Sequence, residues 1–148
     1  MRIAVGSDHA GFNMKQAIAE HLRQRDLEVT DCGTNSTERV DYPDFGAAVG
    51  REVASGAADG GICVCGSGIG ICIAANKIRG VRAATVHDST SAKLSRQHND
   101  ANVICIGERL TGPSVAIDAV DAWLDATFEG GRHAGRVAKL DALGGEQA

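Results

Sequence analysis

A cysteine followed by alternating glycines lies near the middle of the chain, in the segment Cys65-Gly66-Ser67-Gly68-Ile69-Gly70. The apolar run at 62–64 predicts a buried strand before it, and a helix is expected from the glycines to about Asn76. Glycines let a ligand approach the backbone closely, and free N–H groups beside a helix N-terminus favour an anion. The same amides favour the thiolate form of Cys65. A thiolate there can act as a base on a carbon acid.

Histidines and an aspartate near predicted element ends are candidates for proton transfer or binding. His98 ends a helix predicted over 89–98, where imidazole can act as general acid or base, or can simply cap the helix. Asp8 and His9 directly follow the first predicted strand, where polar pairs are often only solvated. Both interpretations stay open on the residues alone.

Three arginines are candidates for binding a phosphate. Arg132 and Arg136 are one turn apart on a predicted helix, so they share a face and can form a pincer through their donor forks. Arg109 follows the last predicted strand. Each of the three can equally be an ordinary surface residue.

Metal and nicotinamide sites are not favoured. No second cysteine pair and no His-x-x-x-His spacing accompanies Cys63 and Cys65, so a complete ligand set is lacking. Gly66 and Gly68 open a helix, with Asp88 after the next strand, but the dinucleotide fingerprint requires glycine where this chain has Ile71. We therefore expect no metal and no cofactor.

Five apolar strands alternate with amphipathic helices, and the strands are predicted at 3–5, 27–32, 62–65, 81–86 and 102–107. This alternation predicts a three-layer α/β/α sandwich with a five-stranded parallel Rossmann-like sheet, and an extra C-terminal helical arm over about 130–148. Ligands bind at the carboxyl ends of the strands in such folds. Asp8, the 65–70 turn and Arg109 follow such ends.

Finer expectations concern the edges of the sheet and two helices. The strand at 27–32 has few apolar residues and should lie near an edge, whereas 102–107 should be buried on both faces. Asp44 should cap the second helix. The helix opened by Pro113 should bury Val115, Ala119, Ala122 and Trp123.

Length and composition favour a single cytoplasmic domain over 1–148. The formal net charge of −4, with one Trp, one Tyr and three Phe, gives no reason to expect nucleic acid or an anionic membrane as a partner. Five cysteines, mostly in apolar runs, suit a reducing compartment. The first strand does not resemble a signal peptide, and the uncharged stretch 60–76 is shorter than the roughly 20 residues of a membrane span.

Several motifs together closely resemble the ribose/galactose isomerase family, in particular its type B ribose-5-phosphate isomerases. The resemblance spans essentially the whole chain, in order. It rests on Gly6-Ser7-Asp8-His9-Ala10-Gly11, Asp41-Tyr42-Pro43, the 65–70 turn, Ile73-Ala74-Ala75-Asn76-Lys77, Ser95-Arg96-Gln97-His98-Asn99-Asp100, 102–109 and Glu129-Gly130-Gly131-Arg132-His133.

The resemblance implies isomerisation of D-ribose 5-phosphate to D-ribulose 5-phosphate, in the non-oxidative pentose phosphate pathway, without metal or cofactor. It implies that Cys65 moves a proton between C1 and C2 and that His98 opens the furanose ring. Ser67 would be the third catalytic residue; it stands where many members carry threonine, so the hydroxyl of the turn and its hydrogen-bonding role are kept. The substrate-binding residues would be Asp8, His9, Tyr42, Gly66, Ser67, Gly68, Ile69, Gly70, Asn99, Arg109, Arg132, His133 and Arg136.

The family also implies a strand order of 2-1-3-5-4 and a homodimer or a tetramer with sites shared between subunits. Two alternatives stay open. One is an isomerase of allose 6-phosphate or galactose 6-phosphate, although the galactose enzymes divide their site between two different chains. The other is a sugar-phosphate-binding protein without turnover.

Overall fold

The computed structural model describes residues 1–145 and contains a five-stranded parallel sheet in the order β2-β1-β3-β5-β4. The strands are β1 (Arg2–Ser7), β2 (Glu28–Asp31), β3 (Gly60–Cys65), β4 (Ala83–Thr85) and β5 (Val103–Gly107). The helices are α1 (Phe12–Gln24), α2 (Tyr42–Ala54), α3 (Gly70–Asn76), α4 (Ser89–Asn99), α5 (Pro113–Asp125) and α6 (Arg132–Asp141). The predicted sandwich and the strand order implied by the family are confirmed. Residues 146–148 of the predicted arm lie outside the described residues.

Two hydrophobic cores cover the two faces of the sheet. Alternate strand residues such as Ile62 and Val64 pack with α1 and α5 on one face, while Cys63 and Cys105 pack with α2 and α3 on the other. Because both faces are covered, the central strands are continuous apolar runs instead of alternating ones. The prediction that the strand at 102–107 is buried on both faces is confirmed.

β2 and β4 form the two edges of the sheet, and the edge position predicted for 27–32 is confirmed. β4 pairs only over Ala83–Thr85, so the predicted strand at 81–86 was too long. Val81 and Val86 are buried, and the Val86 amide still donates to the Cys105 carbonyl at 3.0 Å. The apolar run therefore overestimates the length of the regular pairing. None of the helices among residues 1–145 has both the length and the apolar content needed to span a bilayer.

Two predictions about helices were wrong. Asp44 does not cap α2, because the helix begins earlier, with Asp41 at the N-cap and Pro43 in the first turn, where its fixed φ suits a helix start. Val115 is 44% exposed. The buried face of α5 consists of Ala116, Ala119, Val120 and Trp123, which recur at the three- and four-residue spacing of one helical face.

A buried lysine ties α1 to the end of β2. Lys15 Nζ lies 2.7 Å and 2.8 Å from the two carboxylate oxygens of Asp31, and donates to the Thr34 carbonyl at 2.6 Å. The Lys15 side chain is completely buried. An ammonium without water needs these partners, so they hold the start of the loop that leads to α2.

We predict that Asp31→Asn lowers the free energy of unfolding by about 3 kcal/mol, because the Lys15 ammonium stays buried without its counter-charge. Chemical denaturation measures this change. The matched control is Asp59→Asn, which removes the charge from the exposed Arg2–Asp59 ion pair and should change stability far less. Equal effects of the two substitutions would contradict the role assigned to the buried pair.

Candidate active site

Strands β1, β3 and β5 end side by side, and the segments that follow them border an open cleft of about 590 Å³. The pairing brings Ser7 beside Val64 and Cys65 beside Gly107. Since all strands are parallel, three chain segments far apart in sequence meet at the carboxyl ends of the strands. The predicted site residues that line the cleft are Asp8, His9, Tyr42, Cys65, Gly66, Ser67, Ile69, Gly70 and Arg109.

Cys65 is the last residue of β3 and is 4% exposed. Its Sγ accepts a hydrogen bond from the Gly68 amide at 3.2 Å. Gly68 has φ +74°, a conformation that glycine adopts readily and that turns the backbone back onto the sulfur. The thiol and the turn amides are therefore held together by the local backbone.

Neighbouring segments fix the turn from outside. The Glu108 amide donates to the Cys65 carbonyl at 2.9 Å, and the Arg109 amide donates to the Gly66 carbonyl at 3.0 Å. The Thr85 hydroxyl donates to the Gly68 carbonyl at 2.9 Å. These bonds tie the turn to the ends of β4 and β5, so its backbone is held in place before any ligand binds.

α3 begins at Gly70, the last glycine of the turn, and ends at Asn76, which confirms the predicted order of strand, turn and helix. The amide next to Cys65 therefore belongs to the turn and not to the helix end. Ser67 contributes to the turn by accepting a hydrogen bond from the Ile69 amide at 3.2 Å.

Asp8 and His9 serve different purposes in the loop after β1. Asp8 is buried and accepts a hydrogen bond from the Gly11 amide at 3.0 Å, which shapes the entry to α1. His9 is half-buried, and its Nδ1 lies 3.2 Å from both the amide nitrogen and the carbonyl oxygen of Val40. His9 is thus attached to the loop between β2 and α2.

Two large side chains complete the walls of the cleft. Tyr42 packs flat against Gly70, where a Cβ would lie 2.5 Å from the aromatic ring. The Arg109 side chain passes over Gly66, with its Nε 3.5 Å from the position of a Cβ there. Glycine at position 70 thus makes room for Tyr42, whereas a Cβ at Gly66 would be in ordinary van der Waals contact with Arg109.

Gly68 belongs to the turn beside Cys65, whereas His98, Asn99, Arg132, His133 and Arg136 lie on α4 and α6, near the amino ends of the strands. α4 ends with His98 and Asn99, shortly before the amino end of β5. The five residues of β5 at about 3.3 Å each separate that end from Cys65 by about 15 Å. Within one chain, the structure does not bring His98 to Cys65. Asn99 instead borders a second cleft, of about 510 Å³, beside β4 and α6.

His98 and His133 stack near the amino ends of the strands, with ring centroids 4.4 Å apart and planes 14° from parallel. Glu129 Oε1 lies 3.7 Å from Nε2 of each histidine. We call these three side chains the His–Glu–His group. Burial, together with the charges of Arg132 and His98, lowers the pKa of His133.

The ligand atoms of the His–Glu–His group lie within 4.8 Å of one another, close enough to raise the question of a metal ion. A histidine binds a metal along its ring plane. Because the two rings are nearly parallel, their nitrogen lone pairs do not converge on one point. The arrangement suits ring stacking better than coordination.

The sequence assigned no role to Glu129, although it stands in one of the family motifs. The signal available was the spacing of Glu129 and His133 around Gly130 and Gly131. Both glycines have positive φ, so the backbone reverses there and brings the two side chains toward His98.

A sequence profile of the ribose/galactose isomerase family matches residues 3–140. The chain belongs to this family. The resemblance drawn from its motifs is confirmed.

Individual relatives match along almost their whole length. Ribose-5-phosphate isomerase B of Escherichia coli (strain K12) is 51% identical over 142 residues, covering 96% of this chain and 95% of that protein. The structure of ribose-5-phosphate isomerase B from Clostridium thermocellum superposes with a TM-score of 0.94 at 54% identity, covering 95% of each chain. That of the Mycoplasma genitalium enzyme with bound ribulose 5-phosphate has a TM-score of 0.91 at 44% identity, covering 95% of this chain and 93% of that one.

We predict that Gly107→Ala reduces isomerase activity strongly. A Cβ at Gly107 would lie 2.5 Å from the backbone of Ser67, so the turn must shift, and a displacement near 1 Å costs on the order of 100-fold in rate. Gly112→Ala is the matched control, because nothing lies within 4 Å of a Cβ there. Steady-state kinetics on a sugar phosphate, with thermal unfolding as a check on folding, compare the two. Equal activity in both variants would contradict the importance of this contact.

Proposed function

We propose that the protein interconverts D-ribose 5-phosphate and D-ribulose 5-phosphate through an enediolate, with Cys65 as the base. The observation that carries the proposal is the Cys65 sulfur, held at a strand end beside the Gly68 amide in an open cleft. The relatives named ribose-5-phosphate isomerase B support the choice of substrate. The net reaction moves hydrogen between carbons of one molecule, so it needs no redox partner.

In the proposed chemistry, the Cys65 thiolate removes the proton from C2 of the open-chain aldose and returns it to C1. Negative charge develops on the carbonyl oxygen as the enediolate forms, while a second proton moves from the C2 hydroxyl to the C1 oxygen. Backbone amides aimed at such an oxygen are worth about 10²–10³ in rate for each donor. The ordered 66–70 turn is suited to this task, and the Ser67 hydroxyl helps to hold its shape.

Ring opening requires a separate acid–base group, because ribose 5-phosphate is mainly a furanose. We assign this step to His98. The cleft around Cys65 contains His9 but not His98 of the same chain. The proposed active site therefore needs a second subunit, whose His98 and Asn99 face the cleft of the first.

Exposed apolar side chains around the cleft support a subunit contact. Ile69, Ile73, Leu110 and Tyr42 are all exposed in the single chain and line this one cleft. A contiguous apolar patch of this kind is typical of a protein–protein interface. We propose a homodimer, or a tetramer built from such dimers, as the active form.

The phosphate of the substrate would bind between positive groups of both subunits. His9 and Arg109 border the cleft, and Arg132 and Arg136 lie one turn apart on the exposed surface of α6. Guanidinium groups hold phosphate through paired hydrogen bonds. In this arrangement the energy of binding the phosphate orients C1 and C2 toward Cys65.

We also propose that the enzyme works in the cytoplasm, on free sugar phosphate, without a nucleic acid or membrane partner. All five cysteines are free thiols, which a reducing compartment preserves. The family also includes galactose isomerases, so a six-carbon sugar phosphate remains the second candidate substrate.

The proposed activity is tested by comparing kcat/KM for ribose 5-phosphate and allose 6-phosphate, with and without a chelator. We expect ribose 5-phosphate to be preferred at least about 10-fold, the discrimination that one extra carbon in a pocket provides. Cys65→Ala should abolish turnover while leaving substrate affinity roughly intact, because the thiol acts on the proton and not on the phosphate. Cys63→Ala, on the same strand, is the matched control.

The substrate assignment would be wrong if allose 6-phosphate were preferred. Appreciable turnover by Cys65→Ala would exclude Cys65 as the base.

Shared sites are tested with mixed dimers, purified through two different tags. A dimer of one Cys65→Ala chain and one His98→Ala chain should have about half of the wild-type activity on ribose 5-phosphate, since one of its two symmetric sites is intact. The reciprocal dimer, with one wild-type chain and one chain carrying both substitutions, should be inactive. The opposite pattern would mean that each site is built from a single chain.

A further inference from the structure

We propose that His133 and Glu129 are positioning residues for ring opening, which hold the His98 imidazole in place and stabilise its protonated form. This inference rests on the proposed function, in which His98 opens the furanose. It changes the role expected for His133, from a substrate contact to a support for His98.

The stacked pair has one fixed and one accessible ring. His133 is 6% exposed, and its Nε2 has no hydrogen-bond partner among the described residues. The His98 side chain is 38% exposed and covers the His133 ring at a centroid distance of 4.4 Å. A buried ring beneath an accessible one limits the rotation of the accessible ring. Because proton transfer depends on hydrogen-bond geometry, this restriction favours catalysis.

Glu129 is attached to the helix that carries His98. The Glu129 amide donates to the Gln97 carbonyl at 3.0 Å, directly before His98. The Glu129 backbone therefore moves together with the end of α4. Its carboxylate, at 3.7 Å from the His98 Nε2, is close enough for charge attraction, and a small side-chain movement would form a hydrogen bond.

Two glycines allow this arrangement. Gly130 and Gly131 have φ +63° and +52°, and a Cβ at either position would meet nothing within 4 Å. Glycine is therefore favoured there by backbone conformation and not by lack of space. The reversal lets Glu129, before the glycines, and His133, after them, approach the same imidazole.

The proposed step is a proton relay through His98. Neutral His98 accepts the proton of the C1 hydroxyl, the bond between C1 and the ring oxygen breaks, and its electron pair goes to that oxygen. The imidazolium then gives its proton to the ring oxygen, leaving an aldehyde and a C4 hydroxyl. Positive charge on His98 is transient, and a nearby carboxylate stabilises it.

The surrounding charges disfavour a proton on His133. The groups that face the stacked pair are Glu129, the guanidinium groups of Arg132 and Arg136 on α6, and each histidine for the other. Burial, Arg132, His98 and Arg136 together lower the pKa of His133, in that order. His133 thus stays neutral beneath His98, so a second positive charge does not oppose its protonation.

Ring opening and enolisation can be measured separately. The carbonyl of ribulose 5-phosphate is at C2 and its O5 carries the phosphate, so this sugar cannot close to a furanose. Exchange of its C1 hydrogen with deuterium from solvent therefore needs Cys65 and the turn, but no ring opening. Turnover of ribose 5-phosphate needs both.

The experiment uses His133→Ala, His133→Phe and Glu129→Gln in the full chain, with Lys139→Ala on the exposed face of α6 as the control. For His133→Ala and Glu129→Gln we expect kcat/KM for ribose 5-phosphate to fall at least about 10-fold, within the 10²–10⁴ that acid–base catalysis contributes. Deuterium exchange at C1 of ribulose 5-phosphate, followed by NMR, should change less than about 2-fold, as this step does not use His98. His133→Phe keeps a flat ring under His98 and should recover much of the lost turnover.

The inference would be overturned if His133→Ala and Glu129→Gln kept wild-type turnover of ribose 5-phosphate, or if exchange fell as much as turnover. If His133→Ala does not fold, Glu129→Gln alone decides between these outcomes. Failure of the proposed function is a different result: the wild-type chain would then lack turnover, or Cys65→Ala would retain exchange.

Discussion

The 66–70 turn packs directly against the end of β5, and the position of the Cys65 sulfur depends on this contact. Gly107 has no side chain where the Ser67 backbone meets it, and β3 and β5 are paired in register up to Cys65 and Gly107. The sulfur and the turn amides therefore share one rigid support, which is what a preorganised anion site requires. Tyr42, at the start of α2, forms another wall of the cleft.

Much of the fold could be predicted from the sequence, because its signals are local. Continuous apolar strands alternating with amphipathic helices specify a parallel sheet covered on both faces, and the glycines after Cys65 indicate a turn at a strand end. The errors have local causes too. α2 begins before Asp44, with Pro43 in its first turn. The buried face of α5 that includes Trp123 leaves Val115 exposed.

The arrangement of the site could be predicted only in part, since it depends on which strand ends meet. Asp8 and Arg109 follow strands and Cys65 ends one, so the rule of carboxyl ends groups them correctly at one cleft. His98 ends a helix that runs back along the sheet, so no local pattern relates it to Cys65. The part played by Glu129 depends on the backbone reversal at two glycines, which their identity permits but does not require.

Cys65 and His98 lie near opposite ends of β5, and this separation corresponds to the two different steps of the reaction. Enolisation needs a base and oxyanion donors on one rigid element, whereas ring opening needs an imidazole that can take and release a proton at another part of the sugar. If the second group comes from another subunit, the apolar residues around the cleft exclude water as the subunits associate. Exclusion of water strengthens the attraction between the turn amides and the enediolate. Assembly then contributes more than the missing imidazole, because it also creates the low-dielectric surroundings in which the catalytic groups are effective.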